Sequence, residues 1–307
     1  MDENTKKEIT IVTHSASFHT DDVFAVATLL ISLPENTHAK IVRSRHPDEI
    51  KAGDYVVDVG GEYDPSRNRF DHHQKGGAGI RDNGVPYAAF GLVWKHIGPT
   101  VCGQDAELWQ KIDSQLVSAI DANDNGFDIS KNLIEGVFSP SIALNFMIEK
   151  PTWEERSNEA QMYECFMKAV TKAKDFLQRY LVVQLAGIEA QRQIISTYNA
   201  TDNKSLVVFP KDYERINFIH TLALLPEIKF FVYPNHGGTW TAETVPVSEN
   251  SFEKRKPFPE SWAGLSDGDL VEKSGVEDAV FCHNGRFVAY ARSEGGAITL
   301  AKIALES

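Results

Sequence analysis

Short unbroken apolar runs alternate with helical spacing along the first sixty positions. Ile9-Thr10-Ile11-Val12-Thr13 reads as a buried strand, and Val23 to Ser32, preceded by Asp21 and Asp22 and stopped at Pro34, reads as a helix. Ala39 to Arg43 is a second strand, a brief helix runs from Pro47 to about Gly53, and Tyr55 to Val59 is a third strand. Strands alternating with helices predict a parallel sheet, whose ligands gather at the carboxyl ends of the strands. His14 and Asp58 fall at two such ends. From Gly60 to Pro86, the Gly, Asp, Asn, Pro and Arg content predicts a long loop of the kind that carries function.

Helices are predicted at Tyr87 to Ile97, Ala106 to Ala122 and Ser141 to Glu149. A long helix from Thr152 to about Tyr198 follows, because Tyr163, Phe166, Met167, Val170, Leu177, Leu181 and Ile188 recur at three- and four-residue steps. Strands at Ser205 to Phe209, Phe230 to Tyr233, Thr239 to Thr244, Ala279 to Cys282 and Arg286 to Ala291, with a closing helix from Glu294 to Leu305, form a second α/β unit. The expected fold class is therefore α/β: a parallel-sheet domain over 1–150, a connecting helix over 151–199 and a smaller C-terminal α/β domain over 200–307.

Composition narrows the chemistry. The 307 residues carry 31 Lys and Arg against 43 Asp and Glu, a formal charge of −12, which disfavours a surface that grips long duplex nucleic acid by phosphate neutralisation. A short strand end in a local basic site stays compatible. Three widely spaced cysteines make neither a disulfide framework nor a CxxC pair. The longest mainly apolar run, Val23 to Ile31 with Thr28 inside it, is too short to cross a bilayer, and the first residues lack a secretory h-region and the Arg-rich, acid-poor character of a transit peptide. A cytoplasmic or nuclear protein with no membrane partner is expected.

Four clusters carry candidate chemistry: Thr13 to Asp22 with His14, His19, Asp21 and Asp22; Val57-Asp58-Val59-Gly60-Gly61; Arg69-Phe70-Asp71-His72-His73-Gln74; and Ile120-Asp121-Ala122-Asn123-Asp124-Asn125-Gly126. Singly, each has a plain explanation. Asp21 or Asp22 would cap a helix, Asp58 would serve a turn, His72 and His73 would be solvated, and Asp121, Asp124 and Asn125 would end a helix. Together, imidazoles and carboxylates at strand and helix ends make a metal site the better reading.

The order His14, His19-x-Asp21, Asp58, Asp71-His72-His73, Asp121 resembles the DHH phosphoesterase superfamily. Within it, Val57 to Pro65, Arg69 to Gln74, Gly91 to His96, Ile120 to Ala122, Trp262 to Leu265, Ser274 to Val276 and Phe281 to Phe287 resemble the MYG1 family. The resemblance implies a DHH-type catalytic domain and a C-terminal substrate domain, with 3′→5′ exonuclease activity on RNA. It implies one divalent ion on His14, His19 and Asp58 and another on Asp21, Asp58, His72 and Asp121, with Asp58 bridging. Mn2+ comes first, the nitrogen-rich donor set also suits Zn2+, Co2+ and Fe2+, and Mg2+ stays open. His73 would be a hydrogen-bond donor or general acid, Asp71 would orient a histidine, and metal-activated water would be the nucleophile.

Arg43, at a strand end, and Arg286, with His283 in the His283-Asn284-Gly285-Arg286 phrase, are candidate phosphate contacts, and Trp262 is a candidate base-stacking residue. The expected partner is the 3′ end of a single-stranded RNA, in a cleft between the domains, or another small phosphoester; the oligomeric state stays open. A phosphatase, pyrophosphatase or nucleotide phosphodiesterase is the rival reading. A non-catalytic protein stabilised by its metal is the third.

Overall fold

The first buried run forms β1 (Glu8–Thr13), which pairs in parallel with β2 (His38–Arg43) on one side and β3 (Tyr55–Val57) on the other. The computed structural model describes residues 8–131, 133–134, 149–213 and 215–307, and the chain divides into two units, Met1–Leu185 and Ala186–Ser307. In the first unit, β4 (Tyr63–Asp64) and β5 (Arg69–Phe70) complete a sheet of order β2-β1-β3-β5-β4. β5 runs parallel to β3, and β4 runs antiparallel at the edge. The segment from Gly60 expected to be all loop thus contributes two strands. Each is only two residues long, too short to show a period.

α1 (Thr20–Ser32) has Asp21 and Asp22 in its first turn, where carboxylates suit the positive end of the helix. Val23, Val26 and Leu29 are fully buried, each stabilising the fold by roughly 1.5–3 kcal/mol. α2 (Pro47–Ala52) links β2 to β3, and α1 packs on α3 (Ala89–Val101). α3 runs past Ile97, where it was expected to stop, and takes Pro99 into its last turn. α4 (Ala106–Ile112) and α5 (Ser118–Asp124) form one rod interrupted by a π-helical turn at Asp113–Val117. The helix expected at 141–149 falls almost wholly outside the described residues.

α6 (Glu159–Ala200) is 42 residues long and starts later than Thr152 because a 3-10 turn (Glu155–Ser157) precedes it. The unit boundary lies within it. In the second unit, β6 (Leu206–Val208), β7 (Phe230–Pro234), β8 (Trp240–Thr244), β9 (Ala279–Cys282) and β10 (Val288–Ala291) form a sheet of order β6-β7-β8-β10-β9, with only β6 and β7 parallel. One core holds Ala297, Leu300 and Ala304 of α9 (Glu294–Glu306), Leu270 of α8 (Asp267–Ser274) and Trp262. The other holds Phe218 and Leu222 of α7 (Arg215–Ala223) with Ile194 and Tyr198 of α6. No helix among the described residues is long and apolar enough to cross a membrane.

Candidate metal centre

Three adjacent parallel strands deliver their next residues to one place: His14 follows β1, Asp58 follows β3, and Asp71-His72-His73 follow β5. Asp58 adopts φ 55°, in the left-handed region that non-glycine residues seldom occupy, and its N–H donates to the Phe70 carbonyl (3.1 Å). Gly60 (φ 99°) and Gly61 (φ 67°) continue the turn with the conformations that glycine tolerates. Gly61 N–H donates to Asp71 Oδ2 (2.5 Å), tying this turn to the next strand end.

The two Asp58 oxygens face different imidazoles. Oδ2 lies 3.2 Å from His14 Nε2, while Oδ1 lies 3.3 Å from His72 Nε2 and 3.4 Å from His73 Nδ1. Asp22 Oδ2 is 3.3 Å from His14 Nε2, and Asp124 Oδ2 is 3.3 Å from His72 Nε2. Ligand atoms of three overlapping groups, His14/His19/Asp58, Asp58/His72/His73 and Asp21/His72/Asp124, lie within 4.8 Å of one another. Donors each about 2.0–2.2 Å from a shared cation stand at such separations.

Asp22 Oδ2, Asp58 Oδ1 and His72 Nε2 are buried and make no hydrogen bond. Buried polar atoms without partners are costly; Asp22 Oδ2 lies beside His14 while Asp58 Oδ1 and His72 Nε2 face each other, and cations bound there would satisfy them. The donors are nitrogen and oxygen without sulfur, which suits divalent Mn, Zn, Fe or Co.

The electrostatics carry the same message. Burial pushes the Asp22 carboxyl up to about 7, although His14 partly opposes it. Burial raises Asp21 well above the carboxylate range, with Asp58, Asp124 and Asp121 adding to the effect. Burial also disfavours protonated His72, but Asp124 and Asp58 more than offset it and lift the imidazole to about 10. Asp58 moves the other way: burial would raise it, and His14 and His72 hold it below the ordinary range. Protons are retained here where a cation would relieve the crowding of carboxylates.

Asp71 organises the third strand end. Its Oδ1 accepts from the His72 N–H (2.7 Å), the His73 N–H (3.1 Å) and His73 Nδ1 (2.7 Å). This contact assigns the His73 proton to Nδ1 and orients a ring that is 61% exposed. Asp21 Oδ1 and Oδ2 accept the N–H groups of Phe90 (2.8 Å) and Ala89 (2.9 Å) at the start of α3. His19, 60% exposed, lies 3.9 Å from Asp124 Oδ1.

Asp121 is not among the converging groups. Its Oδ2 accepts from Arg81 Nη1 (2.5 Å) and its Oδ1 from the Gly91 N–H (2.9 Å). Arg81 also grips Asp113, in the π-helical turn, through Nε (3.2 Å) and Nη2 (3.0 Å). A Cβ on Gly91 would stand 1.8 Å from Asp121 Oδ2, so only glycine permits this approach. Asp124, three residues on, has its Oδ2 3.3 Å from His72 Nε2 and stands with Asp21 and His72 in one of the three groups. Asp22, expected only as a cap, does both: Oδ1 accepts the His19 N–H (2.8 Å) while Oδ2 faces His14.

Trp262 is 2% exposed within the second unit's core, stacked against Phe258, so no face is open to a base. His283 and Arg286 occupy the β9–β10 turn, where His283 Nδ1 accepts the Gly285 N–H (2.8 Å) and Arg286 takes φ 54°. Arg43 donates from Nη2 to the Ala16 carbonyl (2.6 Å). The cysteines are buried and free, with burial pushing Cys102 up to about 12 and Cys282 up to about 11.

The MYG1_exonuc family model, described as an uncharacterised protein family (UPF0160), matches residues 10–305. The chain belongs to the MYG1 family. It is 32% identical to the MYG1 protein of Saccharomyces cerevisiae, over 98% of this chain and 97% of that one. It is 30% identical to the human protein named MYG1 exonuclease, over 96% of this chain and 85% of that one. A solved structure of RecJ with Mn2+ from Thermus thermophilus aligns with this MYG1-family chain at 12% identity and a TM-score of 0.28, covering 97% of this chain and 52% of that chain.

Proposed function

We propose that this chain is a metal-dependent phosphoesterase that removes nucleotides one at a time from the 3′ end of single-stranded RNA. The observation that carries the metal-dependent chemistry is Asp58, whose two oxygens face His14 and His72 among buried donors that lack hydrogen bonds. Exonuclease action is supported by the name of the human and other mammalian relatives. RNA and the 3′→5′ direction rest on the family resemblance of the sequence motifs.

In this reading His14, His19, Asp22 and Asp58 hold one divalent ion, Mn2+ first among the compatible metals, and Asp21, Asp58, His72 and Asp124 hold a second. Divalent ions there supply charge neutralisation at the phosphate and activation of water at neutral pH. His73 stands at the exposed edge with Nδ1 engaged by Asp71, which leaves Nε2 as the ring atom to meet a phosphate or leaving oxygen. Asp71 keeps that ring aimed. A paired pattern of buried acceptors, with no side-chain nucleophile required, suits in-line attack by water.

Incubating the Mn2+-loaded protein with 5′-labelled RNA, single-stranded DNA, pyrophosphate and a dinucleotide tests the proposal. A ladder of shortening RNA products is expected. A circular RNA cut as fast as a linear one contradicts end dependence, and activity confined to pyrophosphate replaces the exonuclease with a small-phosphate hydrolase.

A further inference from the structure

Arg43 stands beside the metal cluster yet is turned to the protein's own backbone. Its Nη2 donates to the carbonyl of Ala16 (2.6 Å), in the middle of the loop that joins His14 to His19. Its guanidinium carbon lies 5.4 Å from the centroid of Phe18 and 4.7 Å from that of Phe166, and the two rings meet edge to face at 5.5 Å. Its Nε is buried without a hydrogen-bond partner. Two aromatic neighbours hold this guanidinium and its Nη2 is already committed to a backbone carbonyl, which sets it against a bidentate grip on phosphate.

The base of the clamp is rigid. Arg43 is in register with Thr13 across the β1–β2 pair, and Ser44 N–H donates to the Thr13 carbonyl (2.7 Å). The loop above it is strained: Ala16 sits at φ 69°, a conformation an alanine adopts only when its surroundings impose it. His14 is buried between Asp22 and Asp58, whereas His19 is 60% exposed and takes its place from the loop.

We propose that Arg43 is a positioning residue, which fixes the Ala16 carbonyl and through it the placement of His19 relative to His14, and is not a contact to substrate phosphate. The role rests on the metal-site reading above. Phe18 and Phe166 belong to the same device, because they hold the guanidinium in the plane from which Nη2 meets the carbonyl.

The test is Mn2+ titration calorimetry on the full chain for the wild type, Arg43→Met, Arg43→Lys and Phe166→Leu, beside kinetics on a 5′-labelled RNA oligonucleotide at saturating Mn2+. Arg43→Met keeps an apolar stem between the rings but loses the donor, and is expected to weaken the Mn2+ held by His14 and His19 roughly 10- to 100-fold, as loss of a group that orients a ligand does. Arg43→Lys and Phe166→Leu should weaken it less, with KM for RNA unchanged in all three. If Arg43→Met does not fold, the other two variants carry the same comparison. Unchanged Mn2+ affinity in the folded variants overturns the proposal, and a raised KM with that result makes Arg43 a phosphate contact. A wild type that binds no Mn2+ overturns the metal reading itself, a failure visible before any variant is compared.

Discussion

The buried polar atoms left without hydrogen bonds differ in kind between the two units: carboxylate and imidazole atoms stand among them in the first, whereas among the described residues of the second they are the neutral hydroxyls of Thr241 and Thr244. In the first, three parallel strands end side by side, and the residues that follow bury carboxylates and imidazoles with oxygen and nitrogen atoms left without hydrogen bonds. In the second, the sheet is mostly antiparallel and its buried Glu243 accepts from Tyr233 Oη (3.0 Å). Its conspicuous His283-Asn284-Gly285-Arg286 phrase makes a hairpin turn, in which the Arg286 N–H donates to the His283 carbonyl (2.8 Å). Local geometry accounts for the motif in the second unit. In the first unit it leaves buried carboxylate and imidazole atoms unpaired, where a cation would satisfy them.

The sharpest way to break this contrast is Asp58→Ala, which removes the carboxylate shared by His14 and His72. Activity should fall by more than about a thousandfold and Mn2+ stoichiometry should collapse at both positions, as read by turnover and elemental analysis. Two ions retained in that variant would mean that Asp58 bridges nothing.

His73→Ala comes next. It should lower turnover by roughly 10²- to 10⁴-fold while the Mn2+ content stays that of the wild type, the signature of a proton donor. Asp71→Asn should cost about 10- to 100-fold, because the His73 ring loses a charged acceptor while the ions remain. Equal losses of metal and turnover in either variant would move these residues into the ligand set.

Acidity supplies a milder perturbation. Without a cation, His14 and His72 retain protons above the ordinary imidazole range, His72 to about 10, so a divalent ion must displace them. Mn2+ affinity should therefore rise with pH, by roughly tenfold per unit for each proton released, and titrations at pH 6 and 8 would show it. Affinity that is flat or falls over that interval contradicts imidazole ligation. The smallest effect is expected in the second unit, where Arg286→Gly suits the left-handed turn and should change stability by less than about 1 kcal/mol. It should raise KM only a few-fold, with Mn2+ affinity unmoved.

The parts of this picture legible in the sequence are those with local signals. The run Ile9 to Thr13 places His14 at a strand end, the run Tyr55 to Val59 locates Asp58 although the strand itself stops at Val57 as Asp58 turns to positive φ, and the spacing along α6 shows a long helix. β4 and β5 leave no such signal because two-residue strands have no alternation to detect, although β5 is what carries His72 and His73 to the cluster. The choice between Asp121 and Asp124 is hidden as well. Both lie near the end of α5, and what separates them is Arg81, forty positions earlier, which claims Asp121. Trp262 illustrates the converse: an aromatic in a motif-like phrase whose burial against Phe258 only the folded core reveals.

Anomalous diffraction at the manganese edge from crystals grown with Mn2+ tests the central claim most directly. Two peaks are expected within ligand distance of Asp58, one beside His14 and one beside His72 and Asp124, with Asp121 still paired to Arg81. A map with no peak at Asp58, or with manganese on Asp121, would contradict the account.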